Sequence, residues 1–394
     1  MNQTKCLKSF TFLTPLAFRV ITHSLALLLV GLLQGCEQIG YYSQAISGHL
    51  SIMANQEYIE ALINDPNTNE KTKKRMKEVI SALDFAEQNL GMPQAQTNYR
   101  KFVQLEGKYP IWSVVATPDD SLAPRQWCYP FVGCASYRGY YAQQDAKDYA
   151  QQIFEEGNMD VHVGGADAYS TLGWFNDPVL STFFRRDEVG LHALLFHELA
   201  HQVLYLKGDS TFNESFASAV EESAVELWLK GQTDKIKIYE QRRKRSSDFI
   251  RLLKSTQSEL ETLYNSDLSR SEKLKAKATI IQTLKENYQQ LKENQWSGYA
   301  GYDGWFNKPI NNARLALVNT YSQWVPAFKN WIEICEYDYP AFYQAATELS
   351  EQPKERRQQV LENYAKKYAS HPLNQADSYT KDAESLPCKY SPNS

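Results

Sequence analysis

Residues 196–217 read FHELAHQVLYLKGDSTFNESFA, and three of them have the types and spacing that metal-assisted hydrolysis needs. His197 and His201 are four apart, so a helix projects them from one face about one turn apart and lets both imidazoles meet one ion. Glu198 adjoins the first histidine and can reach a water on that ion without ligating it. Zinc lowers the pKa of such a water toward neutrality. A neighbouring carboxylate then takes the proton as general base and returns it to the leaving amine. The chain has only 7 His, so the pairing is no by-product of histidine richness. Leu195, Phe196, Leu199 and Ala200 surround the trio, which implies a helix buried around a polar centre. Buried charge needs a partner or an ion. His192 is off the required spacing and reads as structural.

A hydrolytic zinc site takes three protein ligands and leaves one position for water. No further histidine follows His201 closely, so the candidates for the third ligand are Glu214, Glu221, Glu222 and Glu226. On a helix Glu214, Ser218 and Glu221 share one face, and Glu222 lies round from it. Glu214 as ligand with Glu221 behind it is coherent, and an antiparallel second helix could instead bring Glu221 to the metal. Glu214 also has a bland reading, because Thr211 to Glu214 has capping-box spacing.

The elements that would position these residues are mostly helical. Asp187 and Glu188 favour a helix start, the helix runs to about Leu206, and Gly208 is its natural stop. A second helix is predicted from Thr211 to Leu229. Upstream, residues 41–98 read as helical with a break at NDPNTNEKT. IWSVVATPDD reads as a strand, CASYRGYY leads into a helix over 142–156, and MDVHVGGADAY reads as a second strand. Residues 233–296 are charged and free of Gly and Pro, with cap and turn residues at NSDLSRSE. They predict a long antiparallel helical hairpin, read as a solvated scaffold arm in preference to a lid or partner-binding element. The Gly- and aromatic-rich GYAGYDGWFNKPINNARLALVNTY predicts a site-lining loop followed by a core helix. Its Tyr299, Tyr302, Arg314 and Tyr321 are candidate oxyanion donors, with Tyr321 the choice among them. ADAYSTLGWF is either a strand on which substrate lies or a core strand. The fold class expected is α+β and predominantly helical: a zincin-like metallopeptidase core with a small sheet, plus the charged hairpin.

The chain of 394 residues, 43% hydrophobic and 22% charged, can bury a large core. Its net charge of −4 gives no reason to expect a nucleic-acid partner, which would normally show as a basic surface. Lys5, Lys8 and Arg19 precede an apolar run over 25–33, which is short of the roughly 20 residues that span a bilayer. Leu33-Gln34-Gly35-Cys36 follows and resembles a bacterial lipobox. Residues 1–35 are therefore expected to be a signal peptide. Residues 36–394 would form one domain, with 233–296 as an insertion, tethered to the inner or outer membrane by a lipid on Cys36 and facing the periplasm. Cys128, Cys134, Cys335 and Cys388 then remain for an oxidising compartment. A local 128–134 bridge and a 335–388 bridge are the pairing expected.

HELAH with NESFA resembles the glutamate zincins, whose alanyl-aminopeptidase branch carries His-Glu-x-x-His and a later Asn-Glu-Gly-Phe-Ala. Most of the mature chain looks still closer to a family of bacterial lipoproteins described as zinc aminopeptidases. WCYPFVGCASYRGYY, GWFNDPVLST, FHELAHQ, FNESFA and NNARLALVNTY carry that likeness. The resemblance implies Zn2+ on His197, His201 and Glu214, with Glu198 as base. Twelve residues separate His201 from Glu214, a shorter interval than in the alanyl aminopeptidases, so the loop must be tighter. The Gly-Ala-Met-Glu-Asn type of segment that recognises a free N-terminus in that branch is missing. The expectation is thus an envelope-tethered zinc metallopeptidase, an aminopeptidase by resemblance, acting on peptides or envelope proteins. The competing reading is a non-catalytic lipoprotein that binds a partner through the hairpin and keeps a structural zinc. Glu198 argues against it, since a structural site has no use for a base.

Overall fold

Residues 40–54 carry no Asp, Glu, Lys or Arg and form helix α1. This helix is the described part of a first compact unit, Met1–Ala54; the second unit is Asn55–Ser394. The computed structural model describes residues 40–129, 133–166, 176–317, 323–369 and 388.

The second unit opens with β1 (Glu57–Tyr58), α2 (Ile59–Asn64) and α3 (Glu70–Leu90). The Asn69 side chain caps α3 by accepting from the Thr72 amide, and Gly91, at φ +61°, ends it in the left-handed conformation. The break at NDPNTNEKT is where the sequence places it. A second break, at β1, was not legible, because a two-residue strand has no period. Its reason is tertiary: β1 pairs with β2 (Lys101–Val103).

The larger sheet is antiparallel, with β3 (Ile111–Pro118) at its centre. β4 (Trp127–Tyr129) and β5 (Gly133–Ala135) form a separate hairpin bridged by the Cys128–Cys134 disulfide. β6 (Arg138–Tyr140) flanks β3 on one side, so the segment expected only to lead into a helix first makes two short strands. α4 (Gln143–Glu155) follows and buries Ala146, Ala150 and Ile153 against β3 and β7 (Met159–Ala166). β7 pairs with β3 along its whole length, from Ile111 opposite Ala166 to Pro118 opposite Met159. β8 (Val179–Leu180) pairs parallel to β2 and feeds a 3-10 turn, Ser181–Arg185.

From there the chain is helical: α5 (Glu188–Val203), α6 (Ser210–Trp228), α7 (Thr233–Tyr264), α8 (Arg270–Asn294), α9 (Asp303–Phe306), α10 (Asn312–Ala316), α11 (Val325–Ile334), α12 (Tyr339–Ser350) and α13 (Lys354–Ala369). The molecule is predominantly helical with small sheets, an α+β architecture. α5 packs on α3 and α6, and α6 packs on α11. Phe216 stacks on Phe342 with ring centres 5.6 Å apart, and Phe212 meets Phe328 edge-on at 5.2 Å. These aromatic contacts fix the back of α6. Cys335 is bonded to Cys388. Among the described residues no helix is long and apolar enough to cross a membrane.

The charged hairpin is α7 and α8, with a capping box between Ser269 and Glu272 at the start of α8. Its outer faces are open to solvent, as expected, and its inner faces are not. Leu253, Leu260, Leu284 and Tyr288 from its inner faces pack with Trp296, Phe306, Ile310 and Leu315 into a core of their own. The described part of the segment expected to line a site, residues 298–317, therefore packs on the hairpin. Lys277 fastens α8 to the sheet, donating to Asp160 Oδ2 at 2.5 Å and to the Asp119 carbonyl at 2.9 Å. The buried Asn312 amide donates to the carbonyls of Pro118, Asp119 and Ser121 at 3.2, 3.1 and 3.1 Å. Charge runs conceal such packing in a sequence, since only one residue in three or four faces inward.

Candidate metal centre

Asp187 caps α5 by accepting from the Gly190 amide at 2.8 Å, and its pairing with Arg242 holds its carboxyl below the usual range. Leu191, Leu195, Phe196 and Leu199 are buried, with the Phe196 ring 5.7 Å from that of Phe85 on α3. α5 stops at Val203, three residues before the expected end, and Leu204 is already extended. The reason lies across the turn in Asn213. Its side chain accepts from the Leu206 amide at 2.7 Å and donates to the Leu206 carbonyl at 2.8 Å, replacing the backbone partners a longer helix would supply. Gly208, at φ +85°, serves the turn and not the helix end.

Asp209 caps α6, accepting from the Phe212 amide at 3.1 Å and from Arg357 at 2.7 Å. α6 thus starts at Ser210, one residue earlier than predicted, and Thr211 and Glu214 make no capping box. That bland reading of Glu214 is corrected: the cap is already supplied. Glu214 sits at the start of the second turn and is turned toward α5.

The Nε2 atoms of His197 and His201 are 3.2 Å apart. Glu214 places Oε2 at 3.4 Å from His197 Nε2 and Oε1 at 3.8 Å from His201 Nε2. Ligand atoms at tetrahedral angles, about 2.0–2.1 Å from a small ion, lie about 3.3–3.4 Å from one another. The three donors have nearly those separations, so the cluster fits such an ion. Side-chain exposures of 17% for His197 and 24% for Glu214 leave it reachable from solvent. Glu221, on the same face of α6, accepts from Nδ1 of His197 at 3.1 Å, at the other edge of the ring. That contact turns Nε2 toward His201 and Glu214. Glu222 and Glu226 point elsewhere: both pair with Arg243 of α7, and Glu226 also takes Lys329 of α11 at 2.9 Å.

Burial opposes charge on His197, but the Glu214 and Glu221 carboxylates outweigh it and lift the imidazole to about 10. Burial and the neighbouring His197 drive His201 down to about 4. Burial lifts Glu198 to about 7, against the pull of His197 and with the push of Glu214 and Asp177. The group therefore concentrates one positive charge among two imidazoles and a carboxylate. A divalent cation and a proton compete for such a place.

With this geometry in hand, comparison with known proteins adds one finding. A family model described as "Putative aminopeptidase" matches residues 40–361. The chain belongs to that family. The match takes in α5, α6 and every residue of the cluster, and membership carries peptide hydrolysis as the coarse activity. No curated protein and no solved structure matches the chain.

The remaining sequence-predicted site residues of this aminopeptidase-family chain lie elsewhere. His192 donates from Nδ1 to the Glu188 carbonyl at 2.9 Å and stacks on Trp228 with centroids 3.9 Å apart, a structural place. Tyr302 stacks on Phe249 in the hairpin core, and Tyr299 lies under Arg245. Arg314 spends its guanidinium on the carbonyls of Trp305, Lys308 and Pro309 and lies over the Trp305 ring. None of these three belongs to the cluster, and their candidacy as oxyanion donors is corrected. Tyr321, residues 167–175 of ADAYSTLGWF, and Cys36 fall outside the described residues.

Three residues close to the centre escaped the sequence reading. Tyr205 belongs to the α5–α6 turn, and Asn213 lies in the first turn of α6. Asp177, only 1% exposed, accepts from Gln202 Nε2 at 3.2 Å and bonds through its backbone to Asn98 and Tyr99, tying the chain before β8 to α5. An Asn-Asp-Pro punctuation before a short strand is the only trace of it in the sequence. The disulfide hairpin borders the same turn, since a Cβ on Gly133 would come within 3.7 Å of Lys207 Cε.

Proposed function

We propose that the chain is an envelope-tethered zinc metallopeptidase in which His197, His201 and Glu214 hold the ion and Glu198 is the general base. The convergence of both Nε2 atoms and the Glu214 carboxylate, with Glu198 on the next residue of the same helix, carries the reading. Bound zinc supplies Lewis acidity, acidifying a water and polarising a carbonyl. The protein's own part begins with Glu198, which is 8% exposed and makes its carboxylate a strong acceptor in a nearly dry setting. It takes the proton of the attacking water as the C–O bond forms, then gives it to the amine nitrogen as the C–N bond breaks. Glu221 keeps the His197 ring in register, and the Asn213 clamp on Leu206 holds α6 at the distance Glu214 needs.

The test is metal analysis of the purified full chain together with cleavage of a peptide library. One zinc per chain is expected. Treatment with 1,10-phenanthroline should remove at least nine-tenths of the cleavage, roughly the loss expected when the metal's catalytic contribution goes, and added Zn2+ should restore it. Stoichiometric zinc with no cleavage of any peptide or envelope extract would leave only a structural site.

The lipid tether rests on the Leu33-Gln34-Gly35-Cys36 sequence and on the two disulfides, which belong to an oxidising compartment. Metabolic labelling with radioactive palmitate should mark the wild type and miss Cys36→Ala. Equal labelling of both would remove the tether from the proposal.

A further inference from the structure

Amide hydrolysis through a tetrahedral intermediate puts a full negative charge on the former carbonyl oxygen, and a donor placed there is worth a large share of the rate. The cluster is poor in donors of its own. Glu198, Glu214 and Glu221 contribute acceptors, and the two imidazoles turn their Nε2 atoms toward one another, where an ion would take both. The sequence suggested Tyr299, Tyr302, Arg314 and Tyr321 for the role; the structure commits the first three to the hairpin, and Tyr321 lies outside the described residues.

Tyr205 is in the right place. It lies one turn after His201, its ring meets the His201 ring edge-on with centres 6.4 Å apart, and it is 44% exposed. Among the described residues nothing shares a hydrogen bond with its hydroxyl. The backbone on both sides of it is fixed. The Leu204 amide closes the last turn of α5 on the Ala200 carbonyl at 3.1 Å, and Leu206 is clamped through both its amide and its carbonyl by the Asn213 side chain. Beyond Leu206, Asp209 is tied to Phe212 and Arg357. A half-exposed aromatic side chain on a loop ordinarily has freedom to move. This one is mounted between two anchored residues beside a ligand, which is the preorganisation an oxyanion donor needs.

We propose that Tyr205 is a catalytic residue of this centre, its phenol O–H donating a hydrogen bond to the oxyanion of the tetrahedral intermediate. The inference rests on the peptidase reading above and deepens it. Electrons of the C=O π bond move onto oxygen as water oxygen bonds to carbon. Tyr205 stabilises that oxygen without giving up its proton, and the π bond re-forms as the amine leaves carrying the proton Glu198 held. The Asn213 clamp on Leu206 holds the backbone that carries the phenol fixed beside His201.

The experiment compares zinc-loaded wild type, Tyr205→Phe and Glu198→Gln as purified full chains. Tyr205→Phe is expected to keep the wild-type zinc content and melting temperature and to hold KM within about threefold. Its kcat should fall by about 10²–10³-fold, the usual loss for one oxyanion donor. A separate titration uses the aminophosphonic acid analogue of leucine, whose tetrahedral anionic head imitates the intermediate. Its affinity for Tyr205→Phe should drop at least tenfold. A ring that merely packs against His201 would leave both quantities unmoved, because Phe preserves the packing. A kcat within threefold of wild type overturns the inference, and so does equal phosphonate affinity in the two proteins or no phosphonate binding to the wild type. The titration needs no turnover. It therefore judges Tyr205 even if the wild type cleaves nothing, the outcome that would sink the peptidase reading itself.

Discussion

Glu198→Gln should bind one zinc per chain with unchanged affinity and lose peptide hydrolysis by about 10²–10⁴-fold, the range a positioned general base supplies. The substitution keeps the side chain's shape and removes only its capacity to accept a proton. Zinc should stay because Glu198 is not one of the three converging donors. Stability should hold or rise. Burial pushes the Glu198 carboxyl up toward about 7, the Glu214 and Asp177 charges add to it, and His197 opposes them. A neutral amide there removes that repulsion, while a carboxylate buried without a bonded partner costs free energy. The melting temperature of the variant is therefore expected to equal or exceed that of the wild type when both are stripped of zinc. Hydrolysis within threefold of wild type would end the assignment of Glu198 as base. The combination of retained metal, retained fold and lost turnover also separates a catalytic centre from a structural one, because a structural site has nothing for Glu198 to do.

The legible part of this centre is the part that periodicity carries. His197, Glu198 and His201 lie within two turns of one helix, and helical phase alone puts the two imidazoles together and singles out Glu214 and Glu221 on the next helix. The division of labour between those two glutamates was not legible. Both lie on one face of α6, and only the separation of α5 from α6 decides which carboxylate meets Nε2 and which meets Nδ1. That separation is set by a side chain imitating backbone, Asn213 on Leu206, and no sequence period records such a bond. The hairpin shows the opposite failure. Its helices and its turn were read correctly from caps and the absence of breakers. The packing of its inner faces was missed because Phe306, Ile310 and Leu315 arrive from a Gly-rich segment expected to line a site. Composition describes what a segment could expose; packing decides what it does expose.

Glu214→Gln and Glu221→Gln should part company in zinc affinity, and the order of their effects tests the ligand set. Glu214 spans both histidines, with one oxygen 3.4 Å from His197 Nε2 and the other 3.8 Å from His201 Nε2. An amide there lacks the negative charge that balances a divalent ion. Glu214→Gln is therefore expected to purify with little or no zinc and no activity. Glu221→Gln keeps an amide oxygen that can still accept from His197 Nδ1, so the ring stays oriented. Its zinc affinity should fall by about 10–100-fold, as for other groups that act through a ligand. Competition with a fluorescent chelator reads both values. If Glu221→Gln loses the metal while Glu214→Gln keeps it, the roles are reversed.

A second consequence concerns the zinc-stripped wild type. His197 is raised in the folded protein from its ordinary 6.5 to about 10 by the two carboxylates, so folding favours its protonated form. The stabilisation is complete below about 6.5 and is lost as pH climbs toward about 10. The chelated protein should accordingly lose stability across that window in denaturant titrations. Both Glu→Gln variants should lose less, since each removes one carboxylate that raises His197. The zinc-loaded wild type should show no such slope from this residue, because an ion on Nε2 replaces the proton.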